Sequence, residues 1–430
     1  MQKLHSTQRA RERAVLVGVD VPKALVPLHE SLLELARLGA TAGVEMVGEA
    51  TQPLRKPHPA TFIGAGKVEE VKALVQETHA DVVLFDDPLS PAQQRNLEKV
   101  IGVRVVDRSA LILDIFAQHA RSTAGKLQVE LAQLQYLLPR LTRAWTHLSR
   151  QAGGGVGLRG PGETQLEVDR RRIRERIAVL RARIADVERS RAVQRRDRRV
   201  TPTPTVALVG YTHAGKSTLM NALTRAGVLV EDKLFATLDP TVRRLRLPGG
   251  LTVLLADTVG FIHKLPHQLV EAFKSTLEQV RGADLLVHVV DASHPAWSEQ
   301  LHITRQVLDE IGAGALPVVH AFNKRDLLPV AAPPPGAPPD AVLVSGRTGS
   351  GLPELLARIE TELAAGLARV RWDVPAARGD LLALVRRSGR VVEEWYRDGV
   401  VTVTALVPPK VAGQIEKALH EPPSAPSAPC

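Results

Sequence analysis

The chain of 430 residues contains one cysteine, Cys430, and it is the last residue. A disulfide framework or a cysteine-based metal site within one chain is therefore excluded, and a reducing cytosol fits this usage. Aromatic residues make up only 3%, which argues against a lectin-like or base-stacking surface rich in Tyr and Trp. No stretch approaches 18 uninterrupted apolar residues, and Met1 to Arg13 has no apolar signal core, so we expect a soluble, cytoplasmic protein.

The remaining composition is that of a folded protein with several domains. Hydrophobic residues make up 44% and charged residues 24%, which excludes disorder of the whole chain, and the length predicts about two to four domains. The net charge is +10. Residues 166–199 hold thirteen Arg against six Asp or Glu, so most of the excess charge belongs to one element that could meet a polyanion. A solvated helix face is the alternative.

Residues 13–120 alternate short apolar runs with amphipathic stretches, which predicts an N-terminal α/β domain with a mainly parallel sheet. The glycine-containing run at residues 64–67 lacks the spacing of a phosphate loop, and we interpret it as the start of a helix. The predicted strands are residues 14–19, 44–48, 82–85 and 103–106, and the predicted helices are residues 25–38, 67–77, 91–100 and 109–119.

Residues 121–200 carry two apolar stripes at helical spacing, which predicts a long antiparallel helical hairpin. The first stripe runs from Leu127 to Leu148 and should be kinked at Pro139. The second runs from Ile173 to Val187. The glycine-rich connection, at about residues 151–165, should be a mobile loop, either a passive linker or a contact with a partner's phosphates.

Two further domains are predicted beyond the hairpin. Residues 205–368 again alternate strands and helices, with a proline-rich surface insertion at residues 331–339. Residues 372–420 read as a small C-terminal α+β domain of helix, strand, Asp398-Gly399 turn, strand and helix. The tail, residues 421–430, should be disordered.

Residues 206–218 contain the strongest motif of the chain. An apolar strand leads into the spacing G-x4-G-K-S from Gly210 to Ser217, and a helix follows. This is the strand–loop–helix setting of a P-loop, in which main-chain N–H groups surround phosphates, Lys216 reaches the β and γ oxygens, and Ser217 ligates Mg²⁺. A nucleotide triphosphate is therefore the expected ligand.

Two later motifs complete the nucleotide site. Asp257 follows a second apolar strand and can support Mg²⁺, while Gly260 can offer its N–H to the γ-phosphate. Asn323-Lys-Arg-Asp326 predicts guanine, because the Asp326 carboxylate can accept two hydrogen bonds that adenine cannot donate. Residues 345–347 follow the next strand and can contact the base. The expected substrate is GTP, and an ATP-driven RNA remodeller is disfavoured.

With these motifs the chain resembles the translation-factor-related P-loop GTPases and, more closely, the HflX family of ribosome-associated GTPases. The resemblance covers nearly the whole chain. The segments that carry it are Phe62–Lys67, Leu127–Leu134, Gly153–Arg170, Phe235–Thr241 and Asp257–Ile262.

The resemblance implies a factor that binds the large ribosomal subunit and ribosomal RNA and acts on stalled or stress-inactivated ribosomes. It also implies a switch I at Phe235–Asp239, with Thr237 beside Ser217 as a Mg²⁺ ligand; the residues alone leave Thr237 and Thr241 open. Lys216, Thr237 and Gly260 are the expected catalytic residues. The full set of expected nucleotide-binding residues is Gly210, Tyr211, Thr212, His213, Ala214, Gly215, Lys216, Ser217, Thr218, Phe235, Ala236, Thr237, Leu238, Asp239, Asp257, Thr258, Val259, Gly260, Asn323, Lys324, Arg325, Asp326, Ser345, Gly346 and Arg347.

Two positions bear on the expected mechanism. His213 stands where potassium-stimulated relatives have Asn, which puts potassium stimulation in doubt. Phe261 stands where many GTPases have a water-orienting Gln, so hydrolysis should be slow alone and stimulated by ribosomes, with GTP timing release. We expect a monomer that does not bind DNA. A GTP-regulated RNA-binding scaffold with little turnover is the rival hypothesis.

Overall fold

The computed structural model describes residues 11–22, 24–141, 165–198, 203–224, 234–235, 241–266, 279–330 and 332–420. These residues fall into two compact units. The first unit comprises the chain up to Val187 with two later segments, within residues 231–239 and 262–274, and the second unit comprises the remainder. None of the helices in the described part of the chain combines the length and apolar character that a bilayer crossing requires.

The first unit is built on a parallel sheet of four strands in the order β2-β1-β3-β4. All four residues of β3 and six of the eight in β1 are buried, as expected for strands covered on both faces by helices. The predicted strands and helices of this region are confirmed. Their bounds are β1 (Arg13–Asp20), α1 (Leu28–Thr41), β2 (Glu45–Pro53), α2 (Ala65–Thr78), β3 (Val82–Phe85), α3 (Pro91–Ile101), β4 (Arg104–Asp107) and α4 (Arg108–His119).

Two helices follow, α5 (Thr123–Leu137) and α6 (Gln165–Arg198). Their apolar stripes share one cluster around Leu131, Ile177 and Leu180, as predicted. The predicted kink at Pro139 is wrong. Helix α5 ends at Leu137, since proline has no N–H to continue the ladder and restricts the residue before it. The rest of the first stripe, from residue 142, and most of the predicted glycine-rich loop lie outside the described residues.

The larger sheet of the second unit has six strands in the order β10-β9-β8-β5-β7-β6. Only β6 runs antiparallel to its neighbour. The carboxyl ends of the central parallel strands therefore meet at one edge, where ligands bind in open α/β sheets. The bounds are β5 (Thr205–Val209), α7 (Lys216–Thr224), β6 (Thr241–Arg246), β7 (Thr252–Asp257), β8 (Leu285–Asp291), α8 (Trp297–Glu310), β9 (Val318–Asn323), β10 (Val342–Leu343) and α9 (Leu352–Ala365).

The C-terminal part is an antiparallel sheet in the order β11-β13-β12 with helices on one face. The Asp398-Gly399 turn between β12 and β13 is confirmed, and both residues have positive φ. The prediction that this region begins with a helix is wrong, because a strand comes first and pairs with β13. The bounds are β11 (Ala368–Pro375), α10 (Gly379–Ser388), β12 (Arg390–Arg397), β13 (Val400–Val407) and α11 (Pro409–His420).

Candidate functional site

The P-loop lies between β5 and α7, at the carboxyl edge of the six-stranded sheet. Lys216 is 7% exposed, and its Nζ donates to the carbonyl oxygens of Gly210 (3.0 Å) and Tyr211 (2.8 Å). Burial lowers the pKa of Lys216 to about 8, against the opposing attraction of Asp257. A buried ammonium with mostly neutral partners favours the approach of an anion such as a phosphate.

Two glycines allow the loop to be this compact. Gly215 has φ +90°, and a Cβ there would lie 2.3 Å from Nδ2 of Asn323. At Gly260 a Cβ would lie 2.8 Å from Cγ2 of Thr212 and 3.0 Å from Nζ of Lys216. Only glycine therefore lets the backbone after Asp257 pass so close to the P-loop lysine.

Ser217 and Asp257 form the described part of the expected magnesium site. The Ser217 hydroxyl donates to Oδ2 of Asp257 at 2.7 Å, and Asp257 is fully buried at the end of β7. A hydroxyl and a carboxylate oxygen at this separation fit a hard cation such as Mg²⁺. Thr237, the second expected ligand, lies outside the described residues, as do Ala236, Leu238 and Asp239.

Phe261 is joined to the P-loop through its main chain. Its N–H donates to the Gly210 carbonyl (3.1 Å), and its carbonyl accepts from the Thr212 N–H (2.8 Å). Its ring is 2% exposed. The residue therefore aligns the two loops by backbone pairing, and its buried apolar side chain has no group that could orient a water molecule.

The expected base-binding residues are linked to the P-loop by one side chain. Asn323, 2% exposed at the end of β9, donates from Nδ2 to the Ala214 carbonyl (2.8 Å) and accepts at Oδ1 from the Gly346 N–H (2.9 Å). Asp326 accepts a hydrogen bond from the Ser345 hydroxyl at 2.6 Å. The three expected motifs, P-loop, N-K-x-D and residues 345–347, are thus brought together.

Asp291 belongs to the same edge, although we did not single it out from the sequence. It ends β8, and its Oδ2 lies 2.6 Å from Nζ of Lys324. Its other oxygen accepts from the main chain and hydroxyl of Ser293. The pattern that could have revealed it is a carboxylate directly after residues 285–290, which are apolar except for His288, at the carboxyl end of a parallel strand.

Phe235 is the one residue of the expected switch I that the structure describes. Its ring meets Phe116 of α4 edge to face, with centroids 4.5 Å apart, and the residue is 3% exposed. Next to it, the Leu234 N–H donates to the Thr41 hydroxyl. These contacts are with residues of α1 and α4.

The first unit also contains a buried ion network that no motif indicated. Arg108 is fully buried, with Nη2 2.6 Å from Asp86, and it also pairs with Glu34. Lys264 contacts both Asp86 and Asp87 at 2.5 Å. Burial alone would raise the pKa of Asp86, but Arg108 and Lys264 outweigh it and lower that pKa to about 2. Arg108 also donates to the His263 carbonyl.

Three family models match consecutive parts of the chain: GTP-binding GTPase N-terminal over residues 29–117, GTP-binding GTPase Middle Region over 119–198, and 50S ribosome-binding GTPase over 205–324. GTPase HflX of Caldanaerobacter subterraneus subsp. tengcongensis is 48% identical over 400 residues, covering 93% of this chain and 92% of its own length. GTPase HflX of Escherichia coli strain K12 is 47% identical over 404 residues, covering 93% and 94%.

Among solved structures, a GTP-binding protein of Sulfolobus solfataricus in complex with GDP is 23% identical to this chain. The match covers 82% of this chain and 99% of that one, with a TM-score of 0.41.

Proposed function

Because this chain belongs to the HflX family of GTPases and is a GTP hydrolase, we propose that it binds the large ribosomal subunit and acts on stalled or stress-inactivated ribosomes. In this proposal two of the four predicted domains have separate tasks. The helical pair binds ribosomal RNA, and the domain at residues 205–368 controls how long the protein stays bound. Its place of action would be the cytoplasm.

The observation that carries the nucleotide part is the bridge made by Asn323 between the P-loop and residue 346. Because one buried amide holds both loops, the distance from the phosphate groups to the guanine base is set within the protein. Lys216 would meet the β and γ oxygens, the Gly260 N–H would meet the γ-phosphate, and Asp326 would accept from guanine. Mg²⁺, held by Ser217 and Thr237, would neutralise charge on those phosphates.

Slow hydrolysis in the free protein follows from Phe261. A buried phenyl ring beside the P-loop cannot take a proton from water or orient it. The group that orients the attacking water must then come from a residue other than Phe261, and in this proposal ribosome binding brings that group into place. GTP hydrolysis would then time release, since the switch segments depend on γ-phosphate and Mg²⁺.

The ribosome part is supported by the surface of α6. Its apolar residues Ile177 and Leu180 face α5, while most of the arginine side chains described between residues 170 and 189 are exposed. Arg176 differs in forming a two-pronged pair with Glu130 of α5. Arginines that remain solvent-exposed along one helix form a positive surface that suits RNA phosphates. Four exposed positions suited to a test are Arg172, Arg174, Arg181 and Arg183.

The test is co-sedimentation with purified large subunits in a non-hydrolysable GTP analogue, GDP and no nucleotide, at several salt concentrations. Replacing Arg172, Arg174, Arg181 and Arg183 with Gln should weaken binding. In a plot of the logarithm of the binding constant against the logarithm of the salt concentration, the slope should become shallower by about 3 to 4, because fewer phosphate counterions are displaced. GTP affinity should not change.

The matched control replaces four exposed basic residues of the first unit with Gln: Arg37, Arg55, Arg95 and Lys99. It removes the same charge from the chain without touching α6. Equal loss of binding in both variants would mean that net charge acts rather than the helix. An unchanged salt slope in the α6 variant would show that these arginines form only a solvated face.

A further inference from the structure

The sheet of the C-terminal region has one covered face and one open face. Along its central strand β13, Val401, Val403 and Ala405 are buried against α10 and α11. The alternate residues Thr402, Thr404 and Leu406 point to the opposite face of the sheet and are partly exposed. The face centred on these three residues is called the open face below.

Strand register determines what surrounds the centre of the open face. Trp395 of β12 lies opposite Thr402, and Arg371 of β11 lies opposite Thr404. Leu406 has an arginine on each side, Arg369 from β11 and Arg390 from β12. Arg397 at the end of β12 is the fourth arginine of the open face, and the carboxylates on the same face are Asp373, which accepts from the Thr402 hydroxyl at 2.6 Å, and Glu393. Two of the arginines have ion-pair partners outside the face: Arg390 lies 3.8 Å from Glu360 and Arg397 lies 3.4 Å from Asp398. The arginines considered for ligand binding are therefore Arg369 and Arg371.

Trp395 is the unusual residue of this surface. Its side chain is 68% exposed, although a Trp side chain carries a large apolar area that burial would stabilise. Its neighbour Tyr396 is equally exposed, but alternation turns it toward the helix side, where its hydroxyl contacts Arg386 and Glu394. The low aromatic content argued against a base-stacking surface, because composition does not show where the few aromatic rings lie or whether they are exposed.

The chemistry of the open face favours RNA over protein. Its centre offers threonine hydroxyls and one leucine, which is too polar for the core of a protein interface. An exposed indole flanked by arginines instead combines a surface on which a base can stack with cations that pair with phosphates. Strands lie about 4.8 Å apart and two residues along a strand span about 6.8 Å, so the backbones at Trp395 on β12 and Arg371 on β11 are separated by about 12 Å, within reach of one short stretch of chain.

The topology agrees with this chemistry. The order β11-α10-β12-β13-α11 places three antiparallel strands over two helices and leaves one sheet face uncovered by them. RNA-recognition sheets use such an open face, with aromatic rings that stack on unpaired bases. Here the ring stands on an edge strand, so we expect it to hold one base rather than several.

We propose that the open face binds single-stranded RNA, with Trp395 stacking on a base and Arg369 and Arg371 pairing with the adjacent phosphates. This surface is separate from the arginines of α6. The inference therefore goes beyond the proposed function and does not rest on it.

The test measures binding of the full-length protein to a fluorescein-labelled ten-nucleotide oligouridine by fluorescence anisotropy. Trp395→Ala should weaken binding about 5- to 150-fold, as expected for one lost base–aromatic stack. The double variant Arg369→Gln, Arg371→Gln should weaken binding and lower the log–log salt slope by about 1.4, for two lost single-strand phosphate contacts. A duplex RNA of the same length should not distinguish Trp395→Ala from the wild type.

The chain offers matched controls for both changes. Tyr396→Ala removes an equally exposed ring from the other side of the same strand, and Arg386→Gln with Arg387→Gln removes two charges from the exposed surface of α10. Neither should alter oligouridine binding by more than about twofold. The Trp395→Ala effect should persist when Arg172, Arg174, Arg181 and Arg183 are Gln, which separates this inference from the proposal for α6.

Equal losses in Trp395→Ala and Tyr396→Ala would overturn the proposal, and so would unchanged oligouridine binding in Trp395→Ala. If Trp395→Ala leaves RNA binding intact but weakens binding to protein extracted from large subunits, the open face is a protein-docking surface and the proposal is wrong.

Discussion

Two buried cations of this protein have opposite surroundings. Arg108 in the first unit contacts the carboxylates of Asp86 and Glu34. Lys216 in the second unit contacts two carbonyl oxygens, and burial lowers its pKa to about 8. The first charge is balanced by the protein's own side chains, whereas the second retains most of its attraction for an anion. In this protein the buried cation with mostly neutral partners is the one in the expected nucleotide site, and the buried cation with carboxylate partners belongs to a structural ion network.

The largest effect is expected when Arg108 is removed from its ion network with Asp86 and Glu34. Arg108→Met should destabilise the first unit by about 3–5 kcal/mol, because it leaves Asp86 buried with only Lys264 to offset its charge. Native-state hydrogen exchange of the β1 and β3 amides would measure this loss. The double variant Arg108→Met, Asp86→Leu should recover much of it. Equal protection in Arg108→Met and the wild type would mean that the network does not stabilise the sheet.

The second change removes the charge of Lys216, which contacts carbonyl oxygens and not carboxylates. Lys216→Ala should reduce single-turnover GTP hydrolysis by at least about 100-fold, since transition-state charge on the phosphates loses its main cation. The nucleotide-free protein should lose less stability than Arg108→Met does, because Nζ of Lys216 bonds to two carbonyl oxygens and the nearby carboxylate of Asp257 keeps its hydrogen bond from Ser217. Phosphate release and hydrogen exchange of β5 would be measured together. Wild-type turnover in this variant would place the active site elsewhere.

Guanine preference tests whether Asp326, already bonded to Ser345, still acts on the ligand. Asp326→Asn should weaken GTP binding by about 1.5–3 kcal/mol, because an amide brings a donor toward the guanine N–H groups. Xanthosine triphosphate, which presents an acceptor there, should gain in competition. Ser345→Ala is the control that keeps the carboxylate. An unchanged preference for guanine in Asp326→Asn would show that another residue selects the base.

Acid titration should also distinguish the ion network around Asp86 from the surroundings of Lys216. The pKa of Asp86 is about 2 in the folded protein against an ordinary value of 3.8, so its contribution is fully present above about pH 4 and is lost as pH falls toward 2. The loss should be about 2 kcal/mol. Hydrogen exchange of β3 against that of β5, in the wild type and in Asp86→Asn, is the measurement. An equal acid response of β3 in both proteins would contradict this assignment.

The smallest expected effect concerns the support of the base-binding loop. Asp291→Asn should weaken GTP binding by about 1 kcal/mol, because the Lys324 ammonium loses the negative charge of the carboxylate whose Oδ2 lies 2.6 Å from its Nζ. Hydrolysis of bound GTP should be unchanged, as the phosphate-binding residues are not altered. A matched control is Asp284→Asn, a carboxylate at the start of the same strand. A larger effect in the control would assign the loss to the strand and not to Lys324.

Local patterns along the chain were sufficient for much of the fold and for the outline of the site. The first sheet followed from runs such as residues 14–19 and 82–85, because parallel buried strands are apolar throughout. The P-loop and N-K-x-D motifs followed from residue types at fixed spacing, since phosphates and guanine require those groups. Strand β11 was missed although apolar residues alternate at Val370, Trp372 and Val374, a signal that lies across a predicted domain boundary.

The remaining features join residues far apart in the chain, and no spacing rule reports them. Arg108 and Lys264 both meet Asp86, Asn323 meets Ala214, and Asp291 meets Lys324 only after the strands are ordered side by side. Whether Trp395 is buried or exposed depends on which face of its sheet the helices cover. Motifs thus specify which chemical groups are present, whereas charge balance and exposure depend on the packing of the whole fold, because both are set by neighbours that the chain brings in from a distance.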